Sequence, residues 1–244
     1  MIAKIMHFYP LQSLGFAAVL LLLALPVVTA AQRQGSSGKT AKSSAAALNL
    51  FELHKKDYVA GREPALIDIP PAKYLTLVGK GAPGGEAFVT KIGVMYRVAY
   101  GAKMRSKFAG RDFAVGILEA LWWGTTDRHN FVDEPRETWN WKILIRVPDF
   151  ITEANVRQAF EVSAKRSQGS KAPDVKLETL KEGRCIQVLH VGPYSTEPET
   201  IAAMKALAKE KGLTLRGEHH EIYLSDPNTT PPDKLKTILR QPVK

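Results

Sequence analysis

The sequence predicts an α+β fold: duplicated β-α-β-β units forming one antiparallel sheet, with helices on one face and a ligand cleft, the other face being free to curve around the ligand. Three observations predict it. Strand-type and helix-type patterns occur in the same order twice, over about residues 65–150 and 175–244. One strand in each half, Leu118–Trp123 and His219–Asp226, sets a carboxylate inside an apolar and aromatic run. Each repeat is too long for a solenoid unit, so two such units must bury their sheets against each other or side by side.

The chain opens with a segment of a different kind. Met1 to about Ala30 has the pattern of a secretory signal: Lys4, then a leucine- and alanine-rich run from Leu14 to Leu25, then Pro26 and small residues up to Ala30. The apolar run is short for a spanning helix, which needs about 20 residues. Cleavage and export to a periplasmic or secreted destination is the first reading, leaving no stable membrane span. An uncleaved membrane anchor is the alternative. Residues 31–48 are small and polar and read as a flexible linker. The remaining 49–244, about 195 residues, fit one large domain or two fused small ones.

In the first half, Glu52 to Glu63 is a polar lead-in that lies on the domain. Ala72 to Gly79 alternates as a strand after Pro70-Pro71, and a glycine-rich turn follows. Glu86 to about Lys103 carries Phe88, Ile92, Met95 and Tyr96 at helical spacing. Phe113–Trp123 and Trp139–Val147 read as strands. In the second half Arg184–Val191 is a strand, Gly192-Pro193-Tyr194-Ser195 a turn, and Pro198–Lys211 a helix. Glu218–Leu224 and Lys236–Leu239 are again strands. Between the halves, Thr152 to Ser167 reads as a helix with Val156, Phe160 and Val162 on its apolar side. Thr152 is its N-cap, and Asn155 stands where a capping box would have Glu or Gln.

Composition narrows the function classes. Lys and Arg number 34 against 24 Asp and Glu, for a formal net charge of +10. The first 48 residues hold four of the basic residues and no acidic one, which leaves 30 basic against 24 acidic residues over the rest. The surplus is scattered and matches no nucleic-acid-binding signature, so nucleic acid is not an expected partner. Loose attraction to anionic surfaces remains compatible with it. The single cysteine, Cys185, allows no internal disulfide and reads as a buried small side chain.

Side-chain alternation selects the candidate site. His219, Glu221 and Tyr223 share one face of their strand, and Glu119, Leu121 and Trp123 share one face of theirs. A carboxylate buried among apolar groups either takes up a proton or pairs with a cation. Glu221 is the first candidate and Glu119 the second, with pseudo-twofold symmetry expected to bring both to one central cleft as a coupled acid pair. Tyr223, Tyr194, Trp123 and Trp141 are candidates for its walls. For each of these the plain alternative is core packing, or for the carboxylates a local salt bridge. His219 and His220 diverge from adjacent strand positions, no third ligand stands at a recognised spacing, and no metal site is expected. The glycines of Gly79–Gly85 lack the Lys-Ser or Lys-Thr of a phosphate loop.

Several stretches resemble the GyrI-like small-molecule-binding domain, related to the ligand-sensing modules of multidrug-responsive regulators and more distantly to SOUL-type proteins. They are Leu53–Tyr58, Ile67–Pro71, Leu118–Trp123, Trp139–Lys142, His190–Tyr194, His219–Asp226 and Leu235–Lys244. The resemblance implies a duplicated β-α-β-β fold with a cleft for hydrophobic or cationic small molecules, no cofactor, and Glu221 as the ligand partner. It also implies a second possibility: a cofactor-free hydrolase of strained electrophiles such as cyclopropane-bearing toxins, with Glu221, Glu119 and Tyr223 as catalytic groups. The export signal departs from the mostly cytoplasmic members. The oligomeric state is left open.

Overall fold

The computed structural model describes residues 46–166 and 174–244. The signal segment and most of the linker lie outside the described residues, as do Ser167 and the side chain of Val162. Among the described residues no helix is long and apolar enough to cross a membrane.

The chain begins with a one-turn helix α1 (Leu50–Leu53) and a short 3-10 turn at Lys55–Tyr58. Strands β1 (Ala65–Ile69) and β2 (Ala72–Lys80), helix α2 (Glu86–Phe108), and strands β3 (Glu119–Trp123) and β4 (Asn140–Arg146) form the first half. Helix α3 (Glu153–Arg166) links to the second half: β5 (Lys176–Leu180), β6 (Gly183–Val191), α4 (Glu197–Glu210), β7 (His219–Tyr223) and β8 (Lys236–Pro242). The expected repeat is therefore present and one strand longer, β-β-α-β-β twice. Asn155 Oδ1 accepts hydrogen bonds from the Thr152 backbone N–H and hydroxyl, both at 2.9 Å, and this closes the start of α3 as the sequence indicated.

All eight strands form one antiparallel sheet in the order β1-β6-β8-β7-β3-β4-β2-β5. The order reads the same from both ends when β3 is exchanged for β7, β4 for β8, β2 for β6 and β5 for β1. Each half contributes its short opening strand to the far edge of the other half: β1 pairs with β6, and β5 pairs with β2. Those two five-residue edge strands are the ones the alternation left unassigned. The first strand of the helix-to-sheet return is shorter than expected; Phe113 makes only an isolated bridge with Leu48, and β3 begins at Glu119.

Helices α2 and α4 cover one face of this sheet. Their buried residues, Phe88, Met95 and Val98 on α2 and Ile201, Met204 and Ala208 on α4, share a core with Leu75, Leu77, Trp122, Trp141, Ile143, Ile186 and Leu239 of the strands. Helix α3 packs on α2. The opposite face is covered in part by the lead-in segment, whose Phe51 and Tyr58 lie against Ile222 and Ile238.

One close approach fixes how β2 and β4 meet the helices. Gly79 sits opposite Trp141 in the β2–β4 register, and a Cβ at Gly79 would lie 2.0 Å from the indole. The fully buried ring therefore needs a residue without a side chain there. Gly79→Ala is expected to lower stability by about 3 kcal/mol, because a buried aromatic ring has nowhere to move. The urea midpoint of the variant against the parent checks this.

Candidate functional site

The two halves meet where β3 pairs with β7, and the register of this pair decides which side chains can share a site. Ala120 faces Glu221 and Glu119 faces Ile222 across the ladder. Cross-strand partners project to the same side, so Glu221 and Glu119 project to opposite sides of the sheet. The expected acid pair between them does not form. The two carboxylates occupy corresponding strands but are one register step out of phase.

Glu221 points to the helical face. There a cavity of about 460 Å³ opens between α2 and α4, with the sheet as its floor. The cleft therefore lies on the helix-covered face, and the other face does not hold it as the sequence reading had anticipated. The separation of α2 and α4 leaves the floor at β3 and β7 uncovered. Phe88, Ile92 and Tyr96 from α2, Ile201 from α4, and Trp122 and Trp139 line it, together with Tyr194, Tyr223, Arg136, Glu197 and Glu221. The walls are thus mainly apolar and aromatic, with few polar groups.

Those polar groups are connected. The Trp122 indole N–H donates to the Tyr223 hydroxyl (3.1 Å), which donates to Glu221 Oε2 (2.7 Å). Burial raises the pKa of Glu221; the bonds from Tyr223 and Trp122 and the positive charges of His220 and Arg136 limit the rise to about 7. Glu197, in the first turn of α4, is also buried. Its carboxyl is pushed well above the ordinary range by burial and then by the charge of Glu221, against a hydrogen bond with Thr237 and the charge of Arg136. Glu197 Oε1 has no hydrogen-bond partner. Glu197, which the sequence reading did not name, is thus the second buried carboxyl at this cavity. Burial raises both carboxyls, and the charge of Glu221 raises Glu197 further.

Of the other candidates, Tyr223 and Tyr194 line the cavity, their rings 6.1 Å apart and edge to face. Trp123 does not. It follows the phase of Glu119 to the far face, where it packs by Leu121, Tyr74 and Leu144. Trp122 takes its place. Trp141 is on the helical face but wholly buried, 5.0 Å from Phe88 in an edge contact, and so supports the wall without reaching the cavity. Glu197, Trp122, Phe88 and Arg136 were not singled out in the sequence. Trp122 could have been, because it is three residues from Glu119 and therefore in the opposite strand phase, the phase of Glu221 once the register is known.

Glu119 belongs to a buried polar network on the far face. Tyr58 donates to Glu119 Oε1 (3.1 Å), and His220 Nε2 lies 3.0 Å from Glu119 Oε2. His220 Nδ1 lies 2.9 Å from Glu182 Oε1, and Arg240 Nη1 donates to Glu182 Oε2 at 2.7 Å. Arg146 donates to Asp57 at 2.8 Å. Burial works against the charge on His220, but Glu182 and Glu119 outweigh it and raise its pKa to about 9. Burial likewise opposes ionisation of Glu182, and His220 and Arg240 outweigh it, holding its pKa down to about 2. His219, one residue away on the helical face, lies by Phe131 and is kept neutral by burial, with its pKa lowered to about 3. The two histidines diverge, as adjacent strand residues must. Among the described residues no group of three His, Cys, Asp or Glu could hold a metal ion. Cys185 is buried, its thiol pushed up to about 12 by burial.

Residues 62–244 match the GyrI-like small molecule binding domain. The chain belongs to this family. A hydrolase from Listeria innocua is 36% identical, with a TM-score of 0.71, over 81% of this chain and 100% of that one. An uncharacterized conserved protein from the same organism is also 36% identical, with a TM-score of 0.72 over the same shares. The C-terminal domain of EcmrR, 14% identical over 75% of this chain and 97% of that one at a TM-score of 0.50, shares the fold. Among curated proteins none matches. The cavity described above is a concave, mainly apolar and aromatic surface with a buried unpaired carboxylate oxygen.

The far-face network has a testable pH signature. His220 has a folded pKa above its unfolded value, so its stabilisation is full below pH 6.5 and is lost as pH rises through about 9. His220→Gln is therefore expected to destabilise the protein by about 3 kcal/mol at pH 6, with the gap from the parent closing towards pH 10. Urea unfolding of both proteins at the two pH values measures this; a gap independent of pH would contradict the assignment of charge.

Proposed function

We propose that this GyrI-like protein hydrolyses hydrophobic electrophiles without a cofactor, and that Glu197 and Glu221 do the proton transfers. The observation that carries this reading is the pair itself: two buried carboxyls lining one apolar cavity, both with raised pKa values. Resemblance to a hydrolase at 36% identity over that protein's whole length supports it. In the proposed reaction, Glu221, ionised, takes a proton from water as the water oxygen bonds to the electrophilic carbon. Glu197, protonated, gives its proton to the atom that leaves that carbon. The product is the water adduct, and the pair ends with one proton as it began. The Tyr223 hydroxyl orients Glu221, and the aromatic walls hold an apolar substrate and exclude bulk water. The family resemblance points to strained rings such as cyclopropanes as the electrophile. Reading the N-terminal segment as an export signal would put this activity outside the cytoplasm.

Incubation with a cyclopropane-bearing aromatic electrophile is expected to give the water adduct over many turnovers. Glu221→Gln and Glu197→Gln should each lower kcat/KM by about 10²- to 10⁴-fold. The rate should rise with pH through about 7, as Glu221 ionises, and fall at higher pH once Glu197 loses its proton. Stoichiometric binding with no product would sink the hydrolase reading.

A second reading is storage or sensing of hydrophobic cations, favoured by the Trp122, Trp139, Tyr194 and Tyr223 rings around a carboxylate. Here the affinity of an aromatic cation should increase as pH rises through about 7, whereas an uncharged molecule of the same shape should bind equally on both sides of that pH. Fluorescence quenching titrations separate these outcomes.

A further inference from the structure

The outer surface of α2 carries an apolar stripe that the fold leaves uncovered. Tyr100, Met104 and Phe108 follow one another at intervals of four and are 53%, 43% and 82% exposed. Spacing of four puts them on one side of the helix, drifting slowly around it. Phe108 is the most exposed large apolar residue among those described. Towards the N-terminus the stripe continues into Tyr96, whose ring centroid is 6.3 Å from that of Tyr100 and which lines the cavity. The stripe thus runs from the rim of the cleft to the end of the helix.

The charge around it has one sign. Between Ala87 and Leu118 the sequence has six basic residues and a single acidic one, Asp112. Asp112 is engaged by Lys103 at 2.5 Å and Lys107 at 3.5 Å. Arg97, Arg105 and Lys107 are exposed. An apolar stripe flanked by Arg and Lys on an exposed helix fits the interface of a lipid bilayer bearing anionic headgroups. It does not fit a second copy of the same face, since a twofold contact would set these cations against each other. Nor does it fit the chain's own first 48 residues, which have basic but no acidic side chains.

A second observation places the same end of α2 near any membrane the chain is attached to. The described chain enters the fold at Leu48, which donates to the Asp112 carbonyl at 3.0 Å and accepts from the Ala114 N–H at 2.8 Å. The first of these partners, Asp112, is four residues beyond Phe108 in the sequence. An upstream apolar run held in a bilayer would therefore tether the protein at the exposed end of the stripe.

We infer that α2 docks on an anionic membrane surface through Tyr100, Met104 and Phe108, with Arg97, Arg105 and Lys107 against the headgroups, and that this brings the mouth of the cleft to the lipid interface. The inference does not depend on which chemistry the cleft performs.

The test uses the full chain carrying Phe108→Cys, labelled with an environment-sensitive fluorophore; Cys185 is buried and stays unlabelled. Lys209→Cys, on the exposed side of α4, is the control position. On vesicles of phosphatidylcholine with phosphatidylglycerol, the probe at 108 should shift to the blue and become shielded from aqueous iodide, and the probe at 209 should not. On phosphatidylcholine alone the shift at 108 should be largely lost. Changing Arg97, Arg105 and Lys107 to Gln should weaken docking about fivefold per charge. Absence of a shift on anionic vesicles, or an equal shift on both kinds, overturns the inference. So does a shift without vesicles: one that grows with protein concentration means that a second copy covers the stripe, and one that does not means that the N-terminal segment covers it.

Discussion

The pairing of β3 with β7 is the constraint on which the rest depends. It joins the halves, and its register assigns every residue of both strands to a face. With Ala120 opposite Glu221, the helical face receives His219, Glu221, Tyr223, Ala120 and Trp122. The far face receives His220, Ile222, Glu119 and Leu121. A slip of one residue would send Glu221 into the cationic network and expose Trp122 on the wrong side.

The same sheet thus gives its buried carboxylates two different environments. On the far face Glu119, Glu182 and Asp57 are set among His220, Arg240 and Arg146, three acids with three cations. Burial there is compensated by close opposite charge, by the Tyr58 hydroxyl, which donates to Glu119, and by Gln187 Oε1, which accepts from Arg240. On the helical face Glu197 and Glu221 receive only hydroxyl and indole donors, directly or in relay, and a more distant Arg136. Compensation is incomplete, so the proton is retained. The charged state of one group and the raised pKa values of the other follow from their neighbours, although Glu119 and Glu221 looked alike as members of apolar strands.

This explains what could be read in advance. The helices were legible from their 3.6-residue spacing, β2 from its alternation and β6 as a mainly apolar run bounded by turn residues. The edge strands β1 and β5 were not, because five residues that are mostly exposed or half-buried on both faces carry little alternation. Glu221 and Tyr223 were legible as a pair, since residues two apart in a strand share a face whatever the tertiary structure. Glu119 and Trp123 were assigned to the cleft wrongly because membership of a face is local information, whereas identity between faces of different strands requires the register; Trp141 is on the cleft's face but packed behind Phe88, a depth that alternation does not carry. Glu197 was obscured for another reason. A glutamate followed by proline at the start of a helix is the ordinary composition of a first turn, where it favours the helix dipole at the surface. Only the packing of α4 across the sheet buries it.

Glu197 also shows why the site and the fold are difficult to separate. A carboxylate in the first turn of α4 should be stabilised in its ionised form by the helix dipole, by about 0.3–1 kcal/mol at an exposed site. Here burial and the neighbouring Glu221 oppose that effect and prevail, since the pKa moves up. The energy that keeps the group in this unfavourable place must come from the apolar contacts of the same helix: Ile201, Met204 and Ala208 against the sheet. Tight seating of α4 thereby holds an unpaired acid at the cavity. A looser helix would let water reach Glu197 and return its pKa towards that of an ordinary glutamate. The packing of the core around the cleft therefore sets the protonation of the carboxyl that lines it.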